Sequence, residues 1–524
     1  MADAIQDEQQ AGICDIGLVP YDNDITSYVN QCPIHLFDTQ TNRNISRSEL
    51  KDNISAALRL WMGLPLTCSK ISKIIFKALD RKIPRSDIEL RPYVFAVMAK
   101  LLPIDDEACF ISAIRDKLEP YFQSFFSEHL PSNWDHRVTQ ALKDLIVRKR
   151  AQTSKPSHRE VEEQIATLGQ YAILSHCWDH DSSQELTFDD VANISDCEVR
   201  AKHGFSKLEG FARVVESFYG CRYLWMDTAC IGEADRDRSI PLMFGWYRHA
   251  YVCVVYLSAS TVSWDRWRTV MEDRWCTRGW TLQELLAANR IAFFTSRWDL
   301  VAGEFWPYNQ YKFHACRDGR FEPTVYSQLL QTIGHTNWME YEPGIDQALS
   351  LFRAMRRRRT TKAEDMVYSL LPTLNIDIPI EYGEGFERAL YRLQVEILTQ
   401  CQDRRLLFWR GGTPSPYNSM LCGNFNSWHS NDVDVYHSYR YSRSFDPTIS
   451  FSSKGTMRIM VYLHKMCPSS ASFALMGQHT RGGGYVGVLL RELPKRVYRR
   501  IGYKLYGLDE ITLVDKAPEW IYIK

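Results

Sequence analysis

Side chains that could do chemistry stand at the ends of two short apolar runs. Ser175, His176, Cys177 and Trp178 close the first run, and Asp227 ends the second. A nucleophilic Cys–His pair would need both side chains to converge on one point, but adjacent residues of a strand point to opposite faces. A zinc site here would lack a tetrahedral set of four ligands. The pattern therefore favours a structural turn over a dyad, and we expect no bound metal.

Asp227 has two interpretations, and the sequence leaves both open. An aspartate at the end of a buried strand can cap the next turn, or it can contact the ribose of a ligand. Ser175 and His176 would stand at the same edge of the sheet, where ligands of such sheets bind. Trp178 and Trp280 could stack on a flat ligand ring, although core packing is the commoner role of tryptophan.

Glu284 is the sharpest candidate for a catalytic group. On a continuous helix, Cys276, Trp280 and Glu284 would share one stripe, and three nearby leucines would point the other way, towards a sheet. The carboxylate would then lie off the packing face. Two interpretations remain: a solvated helix glutamate, or a carboxylate that faces a ligand pocket.

The elements that would position these residues follow a regular order. Four short apolar runs are typical of strands buried on both faces of a parallel sheet: YAILS (171–175), YLWMD (223–227), YVCVVYL (251–257) and IAFFT (291–295). Amphipathic helical stretches lie between them, over 205–220, 238–250 and 274–288. This alternation predicts an α/β fold with a doubly wound, mostly parallel sheet.

Composition and periodicity divide the chain into five segments. These are an N-terminal segment with a first strand, PIHLFDT (1–47), a helical insertion (48–165), the α/β core (166–300), a helical continuation (301–403) and a β-rich C-terminal domain (404–524). Three alternating stretches indicate strands in the last segment: TMRIMVYLH (456–464), GYVGVLLREL (484–493) and WIYIK (520–524).

Three blocks of the core carry a resemblance to a known family. They are YAILSHCW (171–178), YLWMDTACIGEADRDRSIPLMFGWYRHA (223–250) and RGWTLQELLAA (278–288). In order and spacing they resemble the signature blocks of the fungal heterokaryon-incompatibility (HET) domain. The Arg-rich segment and the Tyr-Gly-Glu-Gly turn within 356–398 are similar to the family's continuation. The resemblance implies a role in non-self recognition and regulated cell death.

A second resemblance suggests a reaction. WTLQEL (280–285) looks like the Trp-Cys-x-x-Glu-Leu segment of Toll/interleukin-receptor (TIR) domains, several of which cleave NAD with the glutamate of that segment. It implies that NAD is a substrate, not a cofactor, and that Glu284 is the catalytic carboxylate, which would stabilise positive charge on the ribose. The substrate-binding residues would be Ser175, His176, Trp178, Asp227 and Trp280.

The alternative is a non-enzymatic signalling module that self-associates and recruits death effectors. His176, Trp178 and Trp280 would then shape an interface. The enzyme needs an open cleft at Glu284, whereas the module tolerates a filled one.

Composition limits the other function classes. The chain has 63 Lys and Arg residues and 63 Asp and Glu residues, so its net charge indicates no nucleic-acid partner. The opening MADAIQDEQQ has no secretory-signal pattern, and no apolar stretch is long enough to span a bilayer. No GxxxxGK[ST] loop occurs, so no nucleotide-binding oligomerisation module is expected. We therefore expect a cytoplasmic protein without a cofactor, whose partners are other copies of itself or an incompatibility partner protein.

Overall fold

The computed structural model describes most of the chain. The described residues are 21–62, 156–259, 270–305, 313–315, 321–323, 343–401, 404–407, 409, 412–428, 449–465, 471–479, 485–506 and 519–524, with single helical positions between 77 and 141. The chain forms two compact units. The N-terminal unit comprises Met1–Leu257 and Ala288–Phe305, and the C-terminal unit comprises Ser258–Ala287 and Trp306–Lys524. The five-segment division stays a prediction.

The N-terminal unit is built on a seven-stranded sheet. Its strands are β1 (His35–Asp38), β2 (Arg43–Ser46), β3 (Tyr171–His176), β4 (Tyr223–Trp225), β5 (Val252–Leu257), β6 (Arg290–Thr295) and β7 (Leu300–Phe305). They lie in the order β2-β1-β4-β3-β5-β6-β7. The four central strands are mutually parallel, which confirms the mostly parallel sheet. Antiparallel strands flank them on both sides.

Continuous apolar sequence explains the central strands. Every residue of β3 and β5 is buried, as expected where both faces of a sheet are covered. Strand β4 is shorter than predicted, because Asp227 already begins a helix. The predicted first strand is confirmed as β1, but its hairpin partner β2 was missed. The tight turn between them places Asn42 at a φ of 51°, a left-handed conformation that asparagine tolerates.

Helices connect the strands of this unit. They are α1 (Asp22–Gln31), α2 (Arg47–Met62), α3 (His158–Leu168), α4 (Phe188–Ala192), α5 (Cys197–Arg200), α6 (His203–Tyr219), α7 (Asp227–Cys230), α8 (Arg236–Ser239) and α9 (Met243–His249). The helix predicted over 205–220 is confirmed as α6. The one predicted over 238–250 is interrupted by a 3-10 turn at Ile240–Leu242, where Pro241 lacks the N–H that a continuous helix needs. Most of the predicted insertion between α2 and α3 lies outside the described residues.

The C-terminal unit combines helices with a second sheet. Its helices are α10 (Thr281–Ala287), α11 (Ala348–Met355), α12 (Asp365–Tyr368), α13 (Leu371–Leu374) and α14 (Phe386–Cys401), and its strands are β8 (Phe313–Ala315), β9 (Phe321–Pro323), β10 (Ile449–Phe451), β11 (Met457–Lys465), β12 (Ala471–His479), β13 (Tyr485–Leu493), β14 (Val497–Tyr506) and β15 (Glu519–Ile523). The three predicted strands at the end of the chain are confirmed as β11, β13 and β15. The segment 301–403, predicted as helical, instead begins with strands β7, β8 and β9.

The last sheet closes on itself. Strands β11 to β14 pair antiparallel in chain order, β14 pairs with β15 in parallel, and β15 returns to pair with β11. We call this closed set of strands the five-stranded ring. Alternate residues of β11 and β15 are buried, including Ile459, Val461, Ile521 and Ile523. The interior of the ring is therefore filled by side chains.

Candidate functional site

The six predicted site residues divide between the two units. Ser175, His176, Trp178 and Asp227 belong to the N-terminal unit, and Trp280 and Glu284 belong to the C-terminal unit. Each group is described within its own unit. Ser175 lies inside β3 with no exposed surface.

His176 is the last residue of β3 and faces two carboxylates. Its Nδ1 lies 3.8 Å from Oδ1 of Asp227, and its Nε2 lies 3.9 Å from Oε2 of Glu185. The imidazole side chain is only 1% exposed. Neither Nε2 nor Oε2 of Glu185 has a hydrogen-bond partner in the described part of the structure. The histidine therefore holds the end of β3 between two acidic side chains, at distances longer than direct hydrogen bonds.

Trp178 and Asp227 meet at the surface beside this histidine. The indole Nε1 of Trp178 donates to Oδ2 of Asp227 at 2.7 Å, and the backbone N–H of Thr228 donates to Oδ1 at 2.8 Å. Trp178 is 41% exposed. Asp227 is the first residue of helix α7, whose N-cap is Met226 without a side-chain cap hydrogen bond, and its carboxylate fixes an exposed aromatic ring. Both interpretations of Asp227 remain predictions.

The residues behind His176 were missed by the sequence analysis. Lys207 of helix α6 is buried, and its ammonium contacts Oε1 of Glu185 at 2.7 Å and Oδ2 of Asp179 at 2.9 Å. The backbone N–H of Asp179 also donates to Glu185. At the outer end, Nδ1 of His203 lies 2.9 Å from Oδ2 of Asp179. A row of neighbouring titratable side chains therefore runs from Asp227 through His176, Glu185, Lys207 and Asp179 to His203, and we call it the His176 cluster.

The charges around Glu185 favour its ionised form. Burial alone would raise the pKa of the Glu185 carboxyl, but His176 and the Lys207 ammonium together outweigh burial, so this pKa lies well below its usual value. A signal for Lys207 was present in the sequence. Its helix buries Gly204, Leu208 and Phe211 at three- and four-residue spacing, and Lys207 falls on the same face.

Gly204 allows helix α6 to approach the segment that carries Glu185. A Cβ at this position would lie 2.2 Å from the backbone N of Leu186 and 2.8 Å from the carbonyl carbon of Glu185. We expect Gly204→Ala to lower the free energy of unfolding by about 1–3 kcal/mol through overpacking, although alanine favours a helix.

Gly245 of helix α9 provides the matched control, because a Cβ there meets no atom within 4 Å. Gly245→Ala should raise the free energy of unfolding by up to about 1 kcal/mol. Thermal unfolding of the two variants beside the wild type measures both changes. Equal shifts in the same direction would contradict the close approach at Gly204.

In the C-terminal unit, Trp280 contacts the carboxylate of Asp365. Its Nε1 donates to Oδ2 of Asp365 at 3.1 Å, and the hydroxyl of Tyr382 donates to Oδ1 at 3.0 Å. Burial raises the pKa of Asp365, and these two hydrogen bonds only partly offset it. The Tyr-Gly-Glu-Gly turn is anchored beside this site, because the N–H groups of Gly383 and Gly385 donate to Glu364 at 2.8 and 3.0 Å. Both glycines adopt positive φ.

Glu284 is not on a solvated stripe. It is only 5% exposed, and all seven residues of helix α10 are buried. The predicted continuous helix was also wrong: a 3-10 turn spans Arg274–Thr277 and ends before α10 begins, so Cys276, Trp280 and Glu284 do not share one helical face. Asp273 caps the 3-10 turn by accepting from the N–H of Trp275 at 2.9 Å.

His176 and Trp178 differ in what their side chains could do chemically. His176 between two carboxylates could relay a proton, but its burial keeps it from a substrate. Trp178 offers an exposed ring to a ligand or a protein. Among the residues that the structure describes, no group of three His, Cys, Asp or Glu side chains could hold a metal ion.

Comparisons with known proteins find sequence similarity in the core of the chain. A family model described as Heterokaryon incompatibility protein (HET) matches residues 171–266, which include the whole His176 cluster. The chain is also 31% identical over 245 residues to Vegetative incompatibility protein HET-E-1 of Podospora anserina. That match covers 43% of this chain but 16% of the length of the relative. No solved structure matches. The matched region contains the parallel strands β3, β4 and β5, and this part of the chain is similar to the HET domain.

Proposed function

We propose that this protein acts in fungal non-self recognition and regulated cell death, as an incompatibility-type protein. The HET domain and the name of the Podospora relative support this role. The chain spans about one sixth of that relative, so whatever the remainder of the relative does is not carried over.

Within this role, we infer that the HET domain works as a signalling module. The observation that carries this inference is the contrast in exposure between Trp178 and the two groups that could catalyse. The side chain of His176 and the carboxylate residue Glu284 are buried, whereas the Trp178 ring is 41% exposed and held by Asp227. Exposed aromatic rings held rigidly are frequent anchors of protein interfaces.

NAD hydrolysis is the second candidate. The TIR-like segment that contains Trp280 and Glu284 supports it, and so does the strand order of the sheet. The sheet extends from β3 in two directions, to β4 on one side and to β5 and β6 on the other. We therefore infer a doubly wound sheet with helices on both faces. A catalytic Glu284 would have to become accessible to the ribose of NAD, which its burial opposes.

Partners and location follow from the proposed role. Self-association through the Trp178 surface, or contact with an incompatibility partner protein, would transmit the signal. A cytoplasmic site of action is expected. Among the helices that the structure describes, none is long and apolar enough to cross a membrane.

Inducible expression in a fungal host distinguishes the two candidates. For the module, wild type lowers viability while NAD content stays unchanged at the onset of death, Trp178→Ala restores viability, and Glu284→Gln still kills. For the enzyme, NAD falls before death, and Glu284→Gln lowers the hydrolysis rate by on the order of 100-fold.

Phe218→Ala is the matched control for Trp178→Ala, because Phe218 is an equally exposed aromatic residue of the same unit. Because Glu284 is buried, its substitution could lower the stability of the fold. Soluble protein level and melting temperature are therefore measured for each variant. NAD cleavage by the purified wild-type chain would contradict the module, and an unchanged viability on expression would contradict the proposed role itself.

A further inference from the structure

The five-stranded ring is basic in a chain whose total charge is balanced. Residues 449–524 contain twelve Lys and Arg residues but five Asp and Glu residues, whereas the whole chain has 63 of each. The total charge therefore conceals a local excess of cations. Such a local excess on a small β-structure indicates an anionic partner.

The basic and aromatic side chains of the five-stranded ring lie on one outward surface. Strand pairing places Arg458 opposite Tyr522, and Tyr522 opposite Val497. Because Ile521 and Ile523 are buried, the residues that alternate with them, Trp520 and Tyr522, point outwards. The guanidinium of Arg458 stacks over the Trp520 ring at 4.0 Å.

Strand β14 extends this surface. Tyr498 and Arg500 are buried, so Arg499 and Ile501 face outwards, and both are exposed. Arg499 lies opposite Arg491, which is also exposed. We call the outward residues Arg458, Arg491, Arg499, Trp520 and Tyr522 the Trp520 face.

The cations of this face lie beside aromatic rings and are open to solvent. Arg458 stacks on the Trp520 ring, and Arg458, Arg491 and Arg499 are all exposed. Tyr522 is 44% exposed, and strand pairing places it between Arg458 of β11 and Val497 of β14. Exposed guanidinium groups beside exposed rings suit phosphates that alternate with flat bases.

We propose that the Trp520 face binds single-stranded nucleic acid. The bases stack on Tyr522 and on the Trp520–Arg458 pair, while Arg499 and Arg491 contact the phosphates. An anionic membrane would use the cations but would leave the planar stacking surfaces without a specific role. A duplex would keep its bases stacked on each other, so the single strand is the form that both features fit.

Binding of a fluorescent mixed-sequence single-stranded oligonucleotide to the full chain tests this proposal. We expect an affinity that falls with salt concentration, since bound phosphates release counterions. Tyr522→Ala should weaken binding about tenfold or more without changing the slope of log affinity against log salt. Arg499→Ala should lower the steepness of that slope by about 0.7, the contribution of one phosphate contact on a single strand.

Two controls separate binding from folding and from general charge effects. Tyr417→Ala removes another exposed tyrosine of the same unit, outside the ring, and should leave the affinity unchanged. Melting temperatures establish that each variant is folded. Equal affinity for a duplex, binding only to phosphatidylserine vesicles, or a Tyr522→Ala variant that binds like wild type would overturn the proposal.

Discussion

Lys207→Met should lower the free energy of unfolding by about 3 kcal/mol or more at neutral pH. The substitution keeps most of the side-chain volume but removes the ammonium that contacts Glu185 at 2.7 Å and Asp179 at 2.9 Å. Glu185 would remain buried and charged without its strongest partner, and breaking a buried ion pair on one side costs far more than the pair itself contributes.

The effect of Lys207→Met should depend on pH in a defined direction. The folded state depresses the pKa of Glu185, so its ionised form stabilises the protein above the unfolded pKa of about 4.3, and this stability is lost as pH falls towards the folded pKa. Without Lys207, the pKa of Glu185 rises, because burial then acts against a weaker opposing charge. The variant should therefore lose more stability at pH 7 than at pH 4.

Lys202→Met is the matched control. Its ammonium forms a 2.6 Å pair with Asp190 near the same end of helix α6, but both side chains are partly exposed. Removing an exposed pair should cost less than about 1 kcal/mol. Chemical unfolding at both pH values measures the changes in free energy of unfolding. Adding Glu185→Gln to Lys207→Met should recover part of the stability that Lys207→Met loses. Equal losses in the two lysine variants would show that the His176 cluster contributes no special stability.

The central strands were predictable because a strand buried on both faces needs apolar residues at consecutive positions. β3 and β5 are continuous apolar runs, and no tertiary information was needed to find them. β14 was missed for the opposite reason. Its sequence VYRRIGYKLY places Arg500 at a buried position, so the polar side chain breaks the alternation by which strands are recognised.

The candidate site was only partly predictable. His176, Trp178 and Asp227 were found because the carboxyl ends of neighbouring parallel strands meet at one edge of a sheet. Glu185 and Lys207 were not found, because their pairing depends on how helix α6 packs on the segment that carries Glu185, and helical periodicity alone does not specify that packing. The exposure of Glu284 was predicted wrongly, since the helical stripe assumed a continuous helix where the 3-10 turn Arg274–Thr277 intervenes.

Arg500 is the second position at which a large effect is expected, and it lies in the C-terminal unit. Its buried guanidinium donates from Nη1 to the carbonyl of Leu407 at 2.6 Å and from Nη2 to the carbonyl of Trp409. The same group stacks over the Trp409 ring at 3.7 Å. One side chain thereby joins strand β14 to the backbone of Leu407 and Trp409.

Arg500→Met should therefore lower the free energy of unfolding by about 3 kcal/mol or more. Methionine fills much of the space, but it leaves the carbonyls of Leu407 and Trp409 buried without these donors, at a cost of about 1–3 kcal/mol for each. Arg500→Lys should fall between methionine and wild type, because a single ammonium lacks the planar fork that reaches both carbonyls.

Arg499→Met is the control on the same strand, because Arg499 points outwards and is exposed. Its stability should stay within about 0.5 kcal/mol of wild type. Thermal unfolding gives the ranking of the variants, and limited proteolysis reports whether residues 404–428 have come loose. If Arg500→Met has the same melting temperature and the same protease resistance as Arg499→Met, the buried guanidinium does not hold Leu407 and Trp409 to the five-stranded ring.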